Sequence, residues 1–591
     1  MILKTINRTI PKNIRINLLI LYILIIIAAF LELVSLGLIP LFVSYLISEN
    51  VSSFYNHLNI ENFLKFLPGD NHTLQIASAI LLVFSFKFVY MILVSFYELT
   101  TIRKIKLYFS TNIYSAYVDK KYNFFLKKNS SELGRNIINE IENAVQFIIC
   151  ILNLSREISL IIVIGILLVI FDPIISLIGI FFISFFVLIF YLITDRKLKS
   201  IAKHRVKLFG DIFKHVIETF SIIKEIKIYS KQKFFIKKFV NTRTNLESFL
   251  IKRDFLVRLP KIIFEFLAVF LIISIIVLFT VFSKDNSELF TLLSLLAVAV
   301  VRLLPSFNQI SISLTHFASY KISFEILAEE INTFLKNNKK NKQNLILQKD
   351  ISPTDNEKLD IIIDKVSFNY DENGNSGLKN ISLQIKTGEM IGFIGRSGAG
   401  KSTLVNLILK LLEPKSGKVN FINNKRSCGY VPQDIFLLDD TLKANIALAQ
   451  ENSEIDEEKL IDIIEKCELT NFVNQHNQGT DLILGERGIR ISGGEKQRIG
   501  LARTLYSNKK IIVLDEATSS LDSQTEKSIM KSILKFKRDL TIIIVAHRLS
   551  TLEHCDRVIL LENGEIKDQG KLDFLISKYP NLNLSFEKKN N

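Results

Sequence analysis

Residues Ile391–Ser402 read I-G-F-I-G-R-S-G-A-G-K-S, and an apolar, strand-like run leads into them from Met390. An amphipathic stretch with helical spacing, 403–412, follows them. This is the pattern G-x-x-x-x-G-K-[ST] in the context that it requires, with a strand before it and a helix after it. Glycines let the backbone curl until its N–H groups point at an anion, and the helix start adds the positive end of its dipole. The residues of this predicted phosphate-binding loop are Gly395, Arg396, Ser397, Gly398, Ala399, Gly400, Lys401, Ser402 and Thr403.

Length and charge narrow the class of protein. With 591 residues the chain is long enough for several domains, and its hydrophobic content of 49% and mean hydropathy of +0.29 are high for a soluble protein. The net charge of +16 could indicate a nucleic-acid partner. The basic residues, however, crowd the N-terminus and two long loops, 101–145 and 195–258, while the stretch 48–73 is poor in them. Because this asymmetry follows the positive-inside rule, we expect the loops and the N-terminus in the cytoplasm and no nucleic-acid partner.

The apolar runs of the first half are long enough to cross a bilayer, which takes about 20 residues. No cleavable signal peptide is apparent, so the first run is predicted to remain as an anchor. The segment 58–67 fits equally well a short helix on the outer membrane surface or an ordered loop. The predicted spans are 16–46, 74–97, 146–171, 173–194, 260–283 and 287–304.

The two cytoplasmic loops are helical in pattern and too long for simple turns. We expect the spans to continue as helices into the cytoplasm, with short cross-helices near 122–142 and 220–239. The stretch 334–357 is rich in Lys and Asn, which predicts a linker. Beyond it, strands alternate with amphipathic helices, as in an α/β domain around a largely parallel sheet. The predicted fold is a multi-domain membrane protein with an all-α, six-helix transmembrane domain over 1–333, a linker over 334–357 and an α/β nucleotide-binding domain over 358–591.

Two carboxylates end a second apolar strand, Ile511–Asp515, with Glu516 directly after it. Beside a phosphate-binding loop, Asp515 would hold Mg²⁺ through water and Glu516 would act as general base toward the water that attacks the γ-phosphate. Lys401 can reach the outer phosphates, and Ser402 can offer its hydroxyl to Mg²⁺. A second anion-binding nest is predicted at Ser492–Glu495, before a helix. One nucleotide hardly needs two nests, so we expect this one to cap ATP held by another copy of the domain.

With these motifs in this order, nearly the whole chain resembles the ATP-binding cassette (ABC) family, and within it the exporters with fused membrane and nucleotide domains. The resemblance implies a type IV exporter fold in the membrane half, a P-loop NTPase fold in the second half, and ATP and Mg²⁺ as ligands. A core position remains an alternative for the tyrosine that would stack on adenine. The implied assignments are Gly395–Ser402 as the Walker A loop, Asp515 as the end of the Walker B strand, Glu516 as the catalytic glutamate, Ser492, Gly493, Gly494 and Glu495 as the signature motif, Gln433 as the Q-loop contact to Mg²⁺, Asp522 in the D-loop, His547 as the switch histidine and Tyr370 as the adenine-stacking aromatic.

The chain departs from the family pattern at three points. The signature begins with Ile491 rather than leucine and ends in Glu495 rather than glutamine, and the segment 421–431 is short, which leaves the strand order there open. Six spans and one cassette make half of such a transporter. Because Ser492 must meet ATP on a facing Walker A loop, the resemblance implies a dimer, most simply a homodimer. It also implies the inner (cytoplasmic) membrane of a bacterium, with the N-terminus and the ATP-binding domain in the cytoplasm.

Only short motifs in the sequence indicate which substrate is transported. The stretches 30–40 (F-L-E-L-V-S-L-G-L-I-P), 58–67 and 301–310 (V-R-L-L-P-S-F-N-Q-I) resemble the flippase of lipid-linked oligosaccharides in bacterial protein glycosylation. That resemblance implies contact with membrane lipids and a polyprenyl-pyrophosphate substrate, whose anionic group suits a cation in the cavity. Two alternatives remain open, an exporter of lipids, drugs or peptides and a cassette-gated channel or non-transporting regulator. The candidate cavity residues are Glu32, Lys87 and Arg302, although charges in spans can also lie at the membrane interface.

Overall fold

The computed structural model divides the chain into two compact units. The first, called the helical unit, comprises Met1–Lys120 with Phe124–Gln348, and the second, called the cassette unit, comprises Lys121–Asn123 with Lys349–Asn591. The described residues are 2–48, 72–171, 173–281, 286–347, 359–370, 377–422, 428–448, 450–485, 491–517, 523–546 and 548–580.

Long helices build the helical unit, and short ones join them. In the four longest helices the apolar part runs without a break into a polar part, as the sequence predicts for spans that continue into the cytoplasm. A π-helical turn, Asn136–Glu140, leads into the sixth helix. The helices are α1 (Ile2–Thr9), α2 (Lys12–Ser48), α3 (His72–Val118), α4 (Tyr122–Lys127), α5 (Ser130–Arg135), α6 (Ile141–Phe171), α7 (Pro173–Ser221), α8 (Ile223–Ile228), α9 (Gln232–Val281) and α10 (Asn286–Leu347).

Three phenylalanine rings hold α3, α6 and α10 together. Phe109, Phe147 and Phe324 are each at most 2% exposed. The rings of Phe147 and Phe324 stack with centroids 4.9 Å apart, and the ring of Phe109 lies 6.3 Å from that of Phe324. Because aromatic side chains bury more apolar area than other residues, these rings dominate the packing at this point.

Three segments of the described residues have the length and hydropathy of a membrane span: Lys12–Ser35, Leu74–Val118 and Ser130–Ile166. They correspond to the first three predicted spans, and the last three predicted spans overlap the helices α7, α9 and α10. Helix α3 leaves large apolar side chains exposed, with Leu81 68% and Phe88 67% accessible, as expected of a surface that faces lipid. The predicted external helix or loop at 58–67 lies outside the described residues.

Short helices are found where the sequence predicts the cross-helices. Helices α4 and α5 lie within 122–142, and α8 lies within 220–239. Helix α10 continues to Leu347, into the stretch predicted as a linker, because Lys, Asn and Gln extend an existing helix at little cost. The division between the two units falls directly after it, between Gln348 and Lys349. The predicted domain bounds, 1–333, 334–357 and 358–591, stay a prediction.

Two sheets form the framework of the cassette unit. The larger has the strand order β5-β6-β7-β3-β8-β9, parallel except for the antiparallel edge strand β9, and the smaller has the antiparallel order β2-β1-β4. The sequence left the strand order around 421–431 open. The strand before this segment, β4, belongs to the smaller sheet, and the strand after it, β5, forms an edge of the larger sheet. The strands are β1 (Leu359–Asn369), β2 (Gly377–Lys386), β3 (Met390–Ile394), β4 (Ser416–Phe421), β5 (Cys428–Val431), β6 (Ile511–Asp515), β7 (Thr541–Val545), β8 (Arg557–Glu562) and β9 (Glu565–Gly570).

The central strands are continuous aliphatic runs because both of their faces are covered. In β3, Met390 and Ile394 belong to one hydrophobic cluster, while Ile391 and Phe393 belong to another on the opposite face. Helices pack on this sheet and position its carboxyl edge. They are α11 (Lys401–Ile408), α12 (Leu442–Ile446), α13 (Glu457–Lys466), α14 (Thr470–Asn474), α15 (Gly493–Tyr506), α16 (Ser523–Leu534), α17 (Leu549–Leu552) and α18 (Leu572–Lys578), with 3₁₀ turns at Asn452–Glu454 and Gly479–Asp481.

The predicted fold class is confirmed: an all-α membrane part is joined to an α/β nucleotide-binding part. One helix differs in length from the prediction. Helix α11 ends at Ile408 rather than at 412, because Lys410 adopts a left-handed φ of 56° and the N–H of Leu411 bonds back to the carbonyl of Asn406 at 2.9 Å. Such a left-handed residue closes a helix.

Candidate functional site

The loop between β3 and α11 holds its lysine inside its own curl. Lys401 is only 6% exposed, and its Nζ donates hydrogen bonds to the carbonyls of Gly395 at 2.8 Å and Arg396 at 3.2 Å. The N–H of Ala399 donates to the carbonyl of Arg396 at 3.1 Å and closes the turn. Ser397 is exposed. A positive charge therefore lies beside the helix start, where backbone N–H groups of the loop could also bind an anion.

Two positions of this loop require glycine. A Cβ atom at Gly395 would lie 2.3 Å from the carbonyl oxygen of Leu561, which is backbone and cannot move aside cheaply. Gly400 caps α11 with a left-handed φ of 101°, and a Cβ atom there would lie 2.6 Å from the Leu378 side chain. The glycines of the motif thus serve close packing as well as the approach of a phosphate.

Strand β6 brings both acidic residues to the carboxyl edge of the large sheet. Asp515 ends the strand and pairs with Val545 of β7. Glu516 follows in a left-handed conformation, with φ of 51°, and its N–H donates to the carbonyl of Val545 at 2.9 Å. A non-glycine residue at positive φ is uncommon and is often found at functional sites. Since the carboxyl ends of parallel strands share one edge, these acids lie at the edge where the loop after β3 begins.

Strand β5 adds a residue that the sequence analysis missed. The hydroxyl of Tyr430 donates a hydrogen bond to Oδ2 of Asp515 at 3.1 Å. Burial raises the pKa of Tyr430, and the charge of Asp515 raises it further, so the phenol keeps its proton and acts as the donor. The signal in the sequence is a tyrosine within a short strand directly before the Q-loop. It can be interpreted only once β5 is known to lie beside β6.

Tyr370 lies beside the loop with its ring accessible. The side chain is 41% exposed, its hydroxyl lies 3.3 Å from Oγ1 of Thr403, and its ring meets that of Phe368 edge-on at 5.0 Å. The residue is therefore not a core tyrosine. An exposed ring next to the phosphate loop is compatible with stacking on a base, which stays a prediction.

The signature residues open α15 with a capping box. The carboxylate of Glu495 accepts hydrogen bonds from the N–H of Ser492 at 2.8 Å and from its hydroxyl at 2.7 Å, and the Ser492 oxygen accepts from the N–H of Glu495 at 3.3 Å. Both residues thus satisfy donors that a helix start leaves open. Ser492 and Gly493 are exposed, so this helix start is accessible to a partner.

Helix α15 also holds the Q-loop. The buried Gln497 donates from Nε2 to the backbone carbonyl of Gln433 at 2.9 Å, and Arg503 donates to the carbonyl of Phe436 at 3.2 Å. The side chain of Gln433 is exposed, and its contact to Mg²⁺ stays a prediction. The helix that carries the signature and the segment that carries Gln433 are consequently packed as one piece.

His547 and Asp522 lie outside the described residues, but their neighbours show how these segments are fixed. Glu526, on α16, is 5% exposed. Its carboxylate accepts hydrogen bonds from Arg548 at 2.6 Å and from the hydroxyl of Thr551 at 2.7 Å. The helix after Asp522 is therefore bonded to the residues after His547, a connection that the sequence alone does not indicate.

The residues at this edge of the sheet fit a nucleotide with Mg²⁺. Lys401 provides a positive charge, and the backbone of the loop provides N–H donors. Ser402, Asp515 and Gln433 provide oxygen atoms. Within the described ranges, no group of three or more His, Cys, Asp or Glu residues could hold a metal by itself. Mg²⁺ is commonly bound through one or two carboxylates together with the phosphates of a substrate, and that is the donor set offered here.

Three charged residues meet in the helical unit, from α2, α3 and α10. Glu32 is 4% exposed, Lys87 Nζ lies 2.6 Å from its Oε2, and Arg302 Nε lies 2.6 Å from its Oε1. The Arg302 contact is an ion pair without hydrogen-bond geometry, whereas Lys87 also donates to Ser35 Oγ at 3.3 Å. The sequence predicts Glu32, Lys87 and Arg302 as candidate cavity residues but does not show that they pair with one another. The structure joins the two cations through one carboxylate, which leaves an excess of one positive charge.

Two family models match the chain. One, described as ABC transporter transmembrane region, matches residues 20–303, and the other, described as ABC transporter, matches residues 378–519. Together they take in most of the chain, one in each unit. The match to the transmembrane region, together with the apolar helices, shows that the chain is a membrane protein.

Relatives and a solved structure agree with these matches. The chain is 37% identical over 222 residues to an ATP-dependent lipid A-core flippase of Ralstonia nicotianae, covering 36% of this chain and 38% of the relative. It is 40% identical over 228 residues to a putative multidrug export ATP-binding/permease protein of Staphylococcus aureus, covering 37% of this chain and 39% of the relative. The matches thus span well under half the length of these relatives. The structure of a bacterial Atm1-family ABC exporter with ATP bound has a TM-score of 0.75 and 18% identity over 98% of both chains, and so shares the fold.

Proposed function

This chain belongs to the ABC transporter family, as an exporter with its membrane and nucleotide-binding domains fused, and on that premise we propose that it hydrolyses ATP to move a lipid-like substrate across a membrane. The observation that carries the proposal is that the Lys401 loop, Asp515 and Glu516 all lie at the carboxyl edge of the large sheet. All the groups needed for phosphoryl transfer to water come from this chain and its copy. A channel or non-transporting regulator would favour a degenerate ATP site, and the presence of Glu516 and His547 in the sequence argues against that alternative.

Each residue has a distinct part in the hydrolysis. Lys401 and the loop N–H groups bind and orient the outer phosphates, and Tyr370 stacks on adenine. Mg²⁺, when bound by Ser402, Asp515 and Gln433, supplies charge neutralisation at the phosphate oxygens. Glu516 accepts the proton of the attacking water, and His547 positions the γ-phosphate.

The working unit of this proposal is a homodimer. The exposed helix start at Ser492–Glu495 caps ATP held by the Walker A loop of the second copy, so that each site is complete only in the dimer. ATP binding closes the two cassettes, and hydrolysis opens them, which switches the membrane domain between inward-facing and outward-facing states. The protein works in the cytoplasmic membrane of a bacterium, with its N-terminus and cassette in the cytoplasm.

For the substrate we propose a lipid-linked, polyprenyl-pyrophosphate oligosaccharide or a related polar lipid. The support is the cluster of Glu32, Lys87 and Arg302 within predicted spans, because charges in a membrane are costly and usually mark a substrate path. Its excess positive charge suits a pyrophosphate, and the side chain of Arg302 is 40% exposed and can present a fork of donors. An exporter of other lipids, drugs or peptides is the alternative, in keeping with the names of the relatives.

The proposal is tested by the ATPase activity of the purified protein in lipid, with and without a polyprenyl-pyrophosphate glycan. Stimulation by the glycan, but not by the same polyprenol without pyrophosphate, supports the proposed substrate. Equal rates with both lipids would contradict the pyrophosphate assignment and leave the ATPase assignment standing. An inactive preparation that still binds ATP would contradict the ATPase assignment.

A further inference from the structure

We propose that Tyr430 is a positioning residue for Asp515 and that its hydroxyl sets the orientation in which this carboxylate serves the metal that accompanies ATP. The inference rests on the proposed ATP site and deepens it. It is carried by the 3.1 Å hydrogen bond from Tyr430 Oη to Asp515 Oδ2.

The backbone of Tyr430 is fixed from two sides. On one side β5 pairs with β6, with Tyr430 opposite Val513 and Val431 opposite Leu514. On the other side α15 packs closely: a Cβ atom at Gly429 would lie 2.3 Å from the Thr504 side chain, and the Thr504 hydroxyl oxygen lies 3.4 Å from the Tyr430 carbonyl oxygen. The sheet and α15, rather than a loop, thus hold the phenol of Tyr430 beside Asp515.

The chemistry of the contact favours a role in orientation. A carboxylate that ligates a metal is commonly held by a further hydrogen bond, which fixes its rotation about the side-chain bond. The hydroxyl of Tyr430 provides this bond at one oxygen of Asp515. Tyr430 is 38% exposed, so only part of its side chain is packed against neighbouring residues.

The same strand leads into the Q-loop. Gln433 lies three residues after Tyr430, and its carbonyl is held by Gln497 of α15. The carboxylate of Asp515 and the backbone of Gln433 are therefore both held at the short segment that begins at β5. Loss of the hydroxyl should loosen the metal site while leaving the Lys401 loop intact.

The test uses Tyr430→Phe, which keeps the ring and removes only the hydroxyl. Full-length protein carrying Glu516→Gln, so that turnover does not interfere, is titrated with Mg²⁺ while binding of a fluorescent ATP analogue is followed. Mn²⁺ binding in the presence of ATP is measured separately by electron paramagnetic resonance. We expect Tyr430→Phe to raise the metal concentration at half-saturation by about 10-fold and to leave metal-free nucleotide binding unchanged.

Tyr579→Phe is the matched control, because the Tyr579 hydroxyl also donates to an aspartate, Asp568, at 3.2 Å. It should bind metal like the parent protein. If the parent shows metal-dependent binding and Tyr430→Phe binds metal equally well, the positioning role is refuted and the ATP site stands. If the parent itself binds the nucleotide without any effect of metal, the proposed site and the inference both fail.

Discussion

The N–H of Glu516 donates a hydrogen bond of 2.9 Å to the carbonyl of Val545, across the ends of β6 and β7. This bond holds Glu516 in its left-handed conformation, with φ of 51°. Val545 lies two residues before His547, so the proposed base and the proposed switch histidine come from the ends of adjacent strands. The hydrogen bond thus offsets the backbone strain at Glu516. It also links the segment that carries the proposed base to the segment that carries the proposed switch histidine.

Glu516→Gln keeps the size of the side chain and the backbone bond but removes the base. We expect hydrolysis to fall by about 10²–10⁴-fold, because a water molecule loses its proton acceptor, while ATP stays bound. Phosphate release and retained nucleotide are the measurements. Glu465→Gln, at an exposed acid on α13, is the control and should hydrolyse ATP normally. Wild-type turnover in Glu516→Gln would refute the base assignment.

Gly395→Ala should weaken nucleotide binding. The added Cβ atom would lie 2.3 Å from the Leu561 carbonyl oxygen, so the loop has to move, at a cost of about 1–3 kcal/mol. Binding of a fluorescent ATP analogue is the measurement. Gly479→Ala is the control, because Gly479 has φ of 56° and open space around it, and it should cost about 1 kcal/mol without affecting binding. Unchanged binding in Gly395→Ala would show that the loop tolerates the displacement.

Arg302→Ala tests the charged cluster in the membrane. Glu32 keeps its ion pair with Lys87, so the fold should persist, but the excess positive charge is lost. We expect transport to fall more than basal ATP hydrolysis. Arg243→Ala, which breaks an exposed ion pair with Glu247 on α9, is the control and should lower neither. An equal loss of transport and hydrolysis in Arg302→Ala would point to folding or coupling instead.

Glu526→Ala should destabilise the cassette unit. It leaves the partly buried Arg548 without its carboxylate, and removal of one partner of a buried ion pair costs about 3 kcal/mol. The free energy of unfolding, from denaturant titration of the full-length protein, is the measurement. Glu562→Ala breaks an exposed pair with Lys567 and should cost about 1 kcal/mol or less. Similar losses in both variants would mean that the Glu526 contact is worth no more than a surface pair.

The fold class could be predicted because its signals are local. An aliphatic run buried on both faces, such as Ile511–Asp515, indicates a central parallel strand, and the glycines of 395–400 indicate the loop that follows β3. The apolar runs of the first half exceed the thickness of a bilayer and therefore predict membrane helices. Each of these signals depends on neighbours in the chain rather than on distant contacts.

Contacts between distant segments could not be predicted in the same way. The sequence presents Glu32, Lys87 and Arg302 as three isolated charges, and only the packing of α2, α3 and α10 shows that one carboxylate serves both cations. Tyr430 was overlooked for a similar reason, because the order of β5 and β6 in the sheet decides what its hydroxyl meets. The extension of α10 to Leu347 was not predicted, because a stretch rich in Lys and Asn indicates a solvated segment. Such a composition does not show whether an existing helix propagates through the segment.

The most direct test of the account is a flipping assay in sealed vesicles. Full-length protein is reconstituted with a polyprenyl-pyrophosphate glycan, and the glycan that reaches the opposite leaflet is measured with and without ATP. The proposed function predicts transfer that requires ATP and is absent in Glu516→Gln. Robust ATP hydrolysis without any transfer of the glycan would contradict it and would return the substrate to other lipids, drugs or peptides.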